Sequence, residues 1–130
     1  MSAMHAPLFD VVPKSDPLNL WSSDGLDYKG VSELLGYDKN ELSKLAGVAK
    51  GSVRFDAKIP KDLKERLEQI AAIASLVAVY FEGNAEKTAL WFRMPNPMLG
   101  GLAPQDIIRR GRYNKLLNFV LQAQQEQTRR

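Results

Sequence analysis

The sequence predicts an all-α fold of about six or seven helices, and three observations carry that expectation. No stretch alternates apolar and polar residues for the length a half-buried strand needs. From residue 26 onward, helix starts and stops punctuate the chain: acidic or amide caps before, proline in the first turn, glycine just after. Leu63, Leu67, Ile70, Ala74, Val77 and Phe81 recur at steps of four, three, four, three and four, the stripe of a long helix with a buried face.

The chain has 130 residues, enough for one domain or two small units sharing a core. Hydrophobic residues make up 45% and charged residues 25%, which argues against wholesale disorder. There is no cysteine, so disulfides, thiolate nucleophiles and cysteine-ligated metals are excluded. The single histidine, His5, excludes a multi-histidine metal site within one chain. No phosphate loop, no nucleophile beside a base and no ligand cluster is present. An enzyme is therefore not expected, nor a metal or a cofactor. Met1–Pro7 has no basic n-region and no apolar h-region follows. The longest apolar stretch, Ile70–Phe81, is shorter than the roughly 20 residues a bilayer needs. A cytoplasmic protein with no membrane contact is expected.

Residues 1–25 carry Pro7, Pro13 and Pro17 and no sustained period. Leu8, Phe9, Val11, Val12, Leu18, Leu20 and Trp21 make them too apolar for a pure linker, so an irregular arm packed on a neighbour, or a tail, is expected. Leu26, Val31, Leu34 and Leu35 line one side of a short helix stopped by Gly36. Asp38 then reads as an N-cap, with Glu41 at the capping-box position and Gly47 past the helix end. A second short helix is expected over Lys50–Phe55. Pro60 opens the long helix, which runs to Glu82 and is apolar on nearly every side in its second half. Such a helix must be covered all round, and a second copy of the chain could supply part of the cover. Asn84 caps Ala85–Arg93. Met94 stands before Pro95 and so leaves the helical region. Pro95-Asn96-Pro97 and Gly100-Gly101 are turn chemistry. Pro104 opens a helix with Asp106 early and Arg109 and Arg110 late, all in accord with the helix dipole. Tyr113, Leu116, Leu117, Val120 and Leu121 define the last helix, and Gln122–Arg130 is polar enough to fray or reach outward.

Asp38–Phe55 has the parts of a helix-turn-helix: inward Leu42 and Ala46, a turn at Gly47 and Val48, and Val53 pinning the second helix. The outer face of that helix carries Lys50, Ser52 and Arg54, with Arg54 suited to guanine and Lys50 to phosphate or guanine. With Lys39 and Lys58 these are the candidate DNA-binding residues. Residues 39–66 hold eight basic and four acidic side chains, a net of +4, against −4 for residues 1–38 with two basic and six acidic. The alternative is two packed helices with no DNA role. Gly51 costs the second helix about 1 kcal/mol relative to alanine, and Ala49 stands where a polar cap is usual.

Residues 85–121 contain a tryptophan-bearing helix, the turn Pro95-Asn96-Pro97-Met98-Leu99-Gly100-Gly101, the segment Pro104-Gln105-Asp106-Ile107-Ile108 and a final helix after Gly111. In that order these resemble the toxin-binding domain of the Xre/MbcA/ParS-like antitoxins. The resemblance covers roughly residues 27–122. It implies an Xre-like helix-turn-helix unit joined by a long apolar helix to a small helical toxin-binding domain. The divisions are then an arm over 1–25, the DNA-binding unit over 26–58, a connecting and dimerisation helix over 59–83, and the toxin-binding domain over 84–130. It also implies an antitoxin of a type II pair. Such a protein binds and blocks a RES-domain toxin that degrades NAD, and represses its own operon at operator DNA. A homodimer within a hetero-oligomeric complex is expected. Candidate toxin contacts are Trp91, Pro95, Asn96, Pro97, Leu99, Arg109, Arg110, Arg112, Arg129 and Arg130. The alternative is that Trp91 and Leu99 are core and the Pro-Asn-Pro turn merely reverses the chain, and for Trp91 core is the favoured reading. A stand-alone helix-turn-helix regulator with no toxin is the alternative function.

Overall fold

The computed structural model describes residues 16–23 and 25–128. Six α-helices carry the fold among them: α1 Tyr28–Leu35, α2 Lys39–Ala46, α3 Lys61–Tyr80, α4 Ala85–Arg93, α5 Pro104–Arg109 and α6 Tyr113–Thr128. Two single 3-10 turns, Lys50–Ser52 and Pro97–Leu99, join them. A small antiparallel hairpin pairs β1, Trp21–Ser22, with β2, Gly25–Leu26, placing Trp21 opposite Leu26.

The caps form where the side chains ask for them. Asp27 accepts from the Gly30 amide at 3.0 Å. Asp38 accepts from the Glu41 amide at 2.8 Å while Glu41 accepts from the Asp38 amide at 3.2 Å, closing the capping box. Asn84 accepts from the Lys87 amide at 2.9 Å. Gly36 and Gly47 end α1 and α2 in the left-handed region, where a side chain is strained.

Helix α3 is the centre. Leu63, Leu67 and Ile70 are fully buried, as are Ile73 and Ala74. Helices α1, α2, α4 and α6 all pack on it. Each fully buried leucine contributes about 1.5–3 kcal/mol by burial alone. A single cluster of buried side chains runs from Leu20 through α3 to Val120. Two expectations about this helix change. It is 20 residues long, but its first half is amphipathic and only Ile70–Ala78 is apolar almost all round. That stretch is covered by the chain's own helices, so it gives no argument for a second copy. No helix among the described residues is long and apolar enough to cross a membrane.

Other boundaries also move. Lys50–Phe55 is not a helix: only Lys50–Ser52 winds, as one 3-10 turn, and the chain is extended again at Val53. Gly51 removes helix propensity, and no side chain caps the turn at Ala49. Trp21–Ser22 and Gly25–Leu26 pair as strands where an irregular arm over 1–25 is expected, and Leu26, expected on the first helix, lies in β2. Asp16 holds the approach to the hairpin, accepting from the amides of Leu20 at 2.8 Å and Trp21 at 2.9 Å. A two-residue strand is too short to show a period. Helix α6 does not fray at Gln122 but continues to Thr128, and Gln124 donates to the Leu76 carbonyl on α3 at 3.2 Å. Residues 1–15, with His5 and the apolar Leu8, Phe9, Val11 and Val12, lie outside the described residues, as do Arg129 and Arg130.

Candidate functional site

The first candidate surface is the turn after α2. Lys39, Lys50, Ser52 and Lys58 are all exposed. Arg54 is exposed too, but its guanidinium is forked onto Asp56, with Nε to Oδ1 at 2.7 Å and Nη2 to Oδ2 at 2.5 Å. The Arg54 hydrogen bond is the main reason the Asp56 carboxyl is held below its ordinary range, and the Lys58 amide at 3.0 Å adds to it. The side chain picked as the guanine reader is thus already occupied by a carboxylate. Without a second helix, Lys50 and Ser52 stand on a turn instead of on a face repeating every 3.6 residues. Val53 is buried as expected, so the segment is pinned to the core all the same.

The second candidate surface lies at the other end. Asn96 organises the turn between α4 and α5. Its side chain accepts from the Met98 amide at 2.9 Å. Its carbonyl accepts from the Leu99 amide at 2.9 Å and the Gly101 amide at 3.0 Å, and its own amide donates to the Leu102 carbonyl at 3.0 Å. The turn is closed on itself, so its outward surface is fixed before any partner arrives. Pro95 and Pro97 are exposed, Leu99 is half-buried and Met98 is 77% exposed. Leu90 and Met94, one turn apart, are exposed as well.

Trp91 is half-buried, partly in the core and partly at a surface hollow. Its ring meets the fully buried Phe92 edge-on at 5.0 Å. It also faces a cavity of about 330 Å³ walled by Val77, Phe81, Phe119, Val120 and Ala123, with Tyr80 and Asn96 as polar members. The Tyr80 hydroxyl is buried without a hydrogen-bond partner among the described residues. A neighbouring groove of about 440 Å³ has Met98, Leu99, Leu102, Ile107 and Phe119 as apolar wall, with Arg110, Arg112 and Lys115 among its lining. Phe119 belongs to both hollows. Phe119, Tyr80 and Phe81 are site residues the sequence does not single out: Phe81 belongs to the apolar stripe of the long helix, and Phe119 lies off the stripe of the last one.

Arg109 behaves differently from its neighbours. It reaches Glu41 on α2 at 2.6 Å and Asp106 at 2.6 Å, and its guanidinium lies 5.0 Å over the Tyr37 ring. Beside it the Tyr37 hydroxyl donates to the Gln105 carbonyl at 2.6 Å. Burial pushes the Tyr37 phenol up, and Arg109 only partly opposes this. Arg109 therefore ties α5 to the capping box of α2, while Arg110 and Arg112 face outward. No group of three or more metal-ligating side chains exists among the described residues.

No family model matches the sequence, and no curated protein is similar to it. The chain is similar to a solved structure, the crystal structure of the M. tuberculosis MbcT–MbcA toxin–antitoxin complex. The identity is 26%, over 72% of this chain and 86% of that chain, with a TM-score of 0.51. The chain resembles a component of a toxin–antitoxin complex. The resemblance carried by residues 85–121 points the same way. The structure gives that stretch a preformed turn flanked by two hollows.

Proposed function

We propose that this chain is the antitoxin of a type II toxin–antitoxin pair, and that residues 84–130 hold the toxin. The observation that carries the reading is the likeness to the MbcT–MbcA complex. The partner is then a RES-domain protein that degrades NAD, and this chain blocks access to its active site. The chain itself catalyses nothing and needs no cofactor or metal; the chemistry belongs to the partner, in the cytoplasm. The rigid turn around Asn96 supports the reading, because a surface fixed in advance loses little entropy on docking.

The second part of the proposal is repression of its own operon through residues 26–58. The net +4 of residues 39–66 supports it, with Lys39, Lys50, Ser52 and Lys58 exposed. Contacts of this kind suit phosphates more than base edges. Arg54 joins them only if it leaves Asp56. A homodimer within the hetero-oligomer needs a surface other than Ile70–Ala78.

The test is co-expression with the protein encoded by the neighbouring reading frame, a tag on one chain only. The two are expected to co-purify at a fixed ratio. Recovery of the tagged chain alone, with the other soluble and folded, contradicts the reading. The stand-alone regulator predicts operator binding with no such companion.

A further inference from the structure

Six arginines lie among the described residues, and their use divides cleanly. Arg54 is paired with Asp56, and Arg109 with Glu41 and Asp106. Arg66 donates to Gln69 at 3.0 Å and lies 4.9 Å over the Tyr113 ring. Arg93 donates to the Glu33 and Leu34 carbonyls at the end of α1, at 3.2 and 3.3 Å. Arg110 and Arg112 have no such partner among the described residues, and both line the groove beside Phe119, with Lys115. Neither hollow has an acidic residue in its lining. Three cations with no internal counter-charge thus flank an apolar wall. Past Phe119 lies the Trp91 cavity, mostly apolar, with the unpartnered Tyr80 hydroxyl.

We propose that the toxin docks here through an acidic segment with an apolar anchor. The anchor, of aromatic size, enters the Trp91 cavity, and flanking carboxylates lie on Arg110, Arg112 and Lys115. This rests on the antitoxin reading and adds to it the chemistry of the partner's surface. A cavity of about 330 Å³ is at the small end of ligand-sized hollows and takes one large side chain. Aromatic anchors in such pockets dominate binding, and complementary charge at the rim adds approach rate and register. Guanidinium groups donate two parallel hydrogen bonds to one carboxylate, which lysine does not. Met98 at the rim can re-pack against the incoming segment.

The experiment measures affinity for the toxin encoded beside this gene. It uses the full chain with Trp21→Phe and 5-fluorotryptophan, so that Trp91 alone reports by fluorine NMR. Reversal of three charges (Arg110→Glu, Arg112→Glu, Lys115→Glu) is expected to weaken Kd by about 100-fold or more. A control with the same charge change elsewhere (Lys29→Glu, Lys61→Glu, Lys64→Glu) is expected to stay within about threefold, with both melting curves close to that of the parent. Complex formation is expected to move the Trp91 resonance. Equal affinities of the two triple variants overturn the electrostatic half, and an unmoved Trp91 resonance overturns the anchor. Two further results overturn the choice of occupant. One is a Trp91 resonance of the free chain that shifts on deleting residues 1–15, which puts the chain's own arm in the cavity. The other is a resonance that shifts with the free chain's own concentration, which puts a second copy there. Failure of the parent chain to bind the toxin at all is a different result, and defeats the antitoxin reading itself.

Discussion

The chain has two basic stretches of similar net charge, and they differ in how their arginines are used. Residues 39–66 carry +4; residues 84–130, with eight basic and three acidic side chains, carry +5. In the first stretch both arginines are turned onto groups of the same chain, Arg54 onto Asp56 and Arg66 onto Gln69 and Tyr113. In the second, Arg93 and Arg109 fasten the C-terminal helices to α1 and α2, while Arg110 and Arg112 are left at a groove. Net charge alone separates neither case. What separates them is whether a carboxylate, carbonyl or aromatic ring sits within reach. A basic stretch marks a binding surface only after its internal partners are subtracted.

The broadest way to probe this division is alkaline pH, because the inward arginines lie on buried tyrosines. Burial is the main cause that raises all four tyrosines, Tyr28, Tyr37, Tyr80 and Tyr113. Tyr28 and Tyr113 are pushed from 10.0 to about 12. The folded chain holds these protons more tightly than the unfolded one. Their stabilising effect is complete below pH 10 and is lost as pH rises toward about 12. Phenolate absorbance is expected to stay low through pH 10 and to rise together with unfolding. Ordinary titration near 10 in a chain that stays folded contradicts the burial of these rings.

Arg109→Ala sharpens the contrast between inward and outward arginines. It removes two ion pairs and a ring contact, all partly solvent-screened, so the expected loss is about 1 kcal/mol in urea denaturation. Toxin affinity is expected to stay within about threefold once the fold is intact. Collapse of affinity with an unchanged melting curve moves Arg109 to the docking face. Gly51→Ala is a smaller change of opposite sign. Nothing lies within 4 Å of the added methyl and the backbone there is not left-handed, so a gain of about 0.4–1 kcal/mol is expected. A loss of stability there means that the 3-10 turn needs glycine for a reason other than space.

The sequence carried the local rules well and the distant ones poorly. The capping box at Asp38 and Glu41, the stop at Gly36 and Gly47, the cap at Asn84 and the opening at Pro104 form as their neighbours dictate. Each needs only residues within four positions. The role of Arg109 depends on Glu41, 68 positions away, and no spacing rule connects them. The division of Trp91 between core and cavity depends on Phe119, which lies off the apolar stripe of the last helix and 28 positions away in sequence. The short second helix failed on composition: Gly51 and an uncapped Ala49 outweighed the pattern that Val53 completes. The self-closed turn at Asn96 shows the reverse case. Its residues were legible, and their closure explains why proline, asparagine and paired glycines stand together.

The most direct test of the central claim is cellular NAD after the neighbouring gene product is induced, with and without this chain. The account predicts that NAD falls and growth stops with the toxin alone, and that both recover when this chain is co-expressed. Equal NAD loss with and without the chain, both proteins being present and folded, contradicts it.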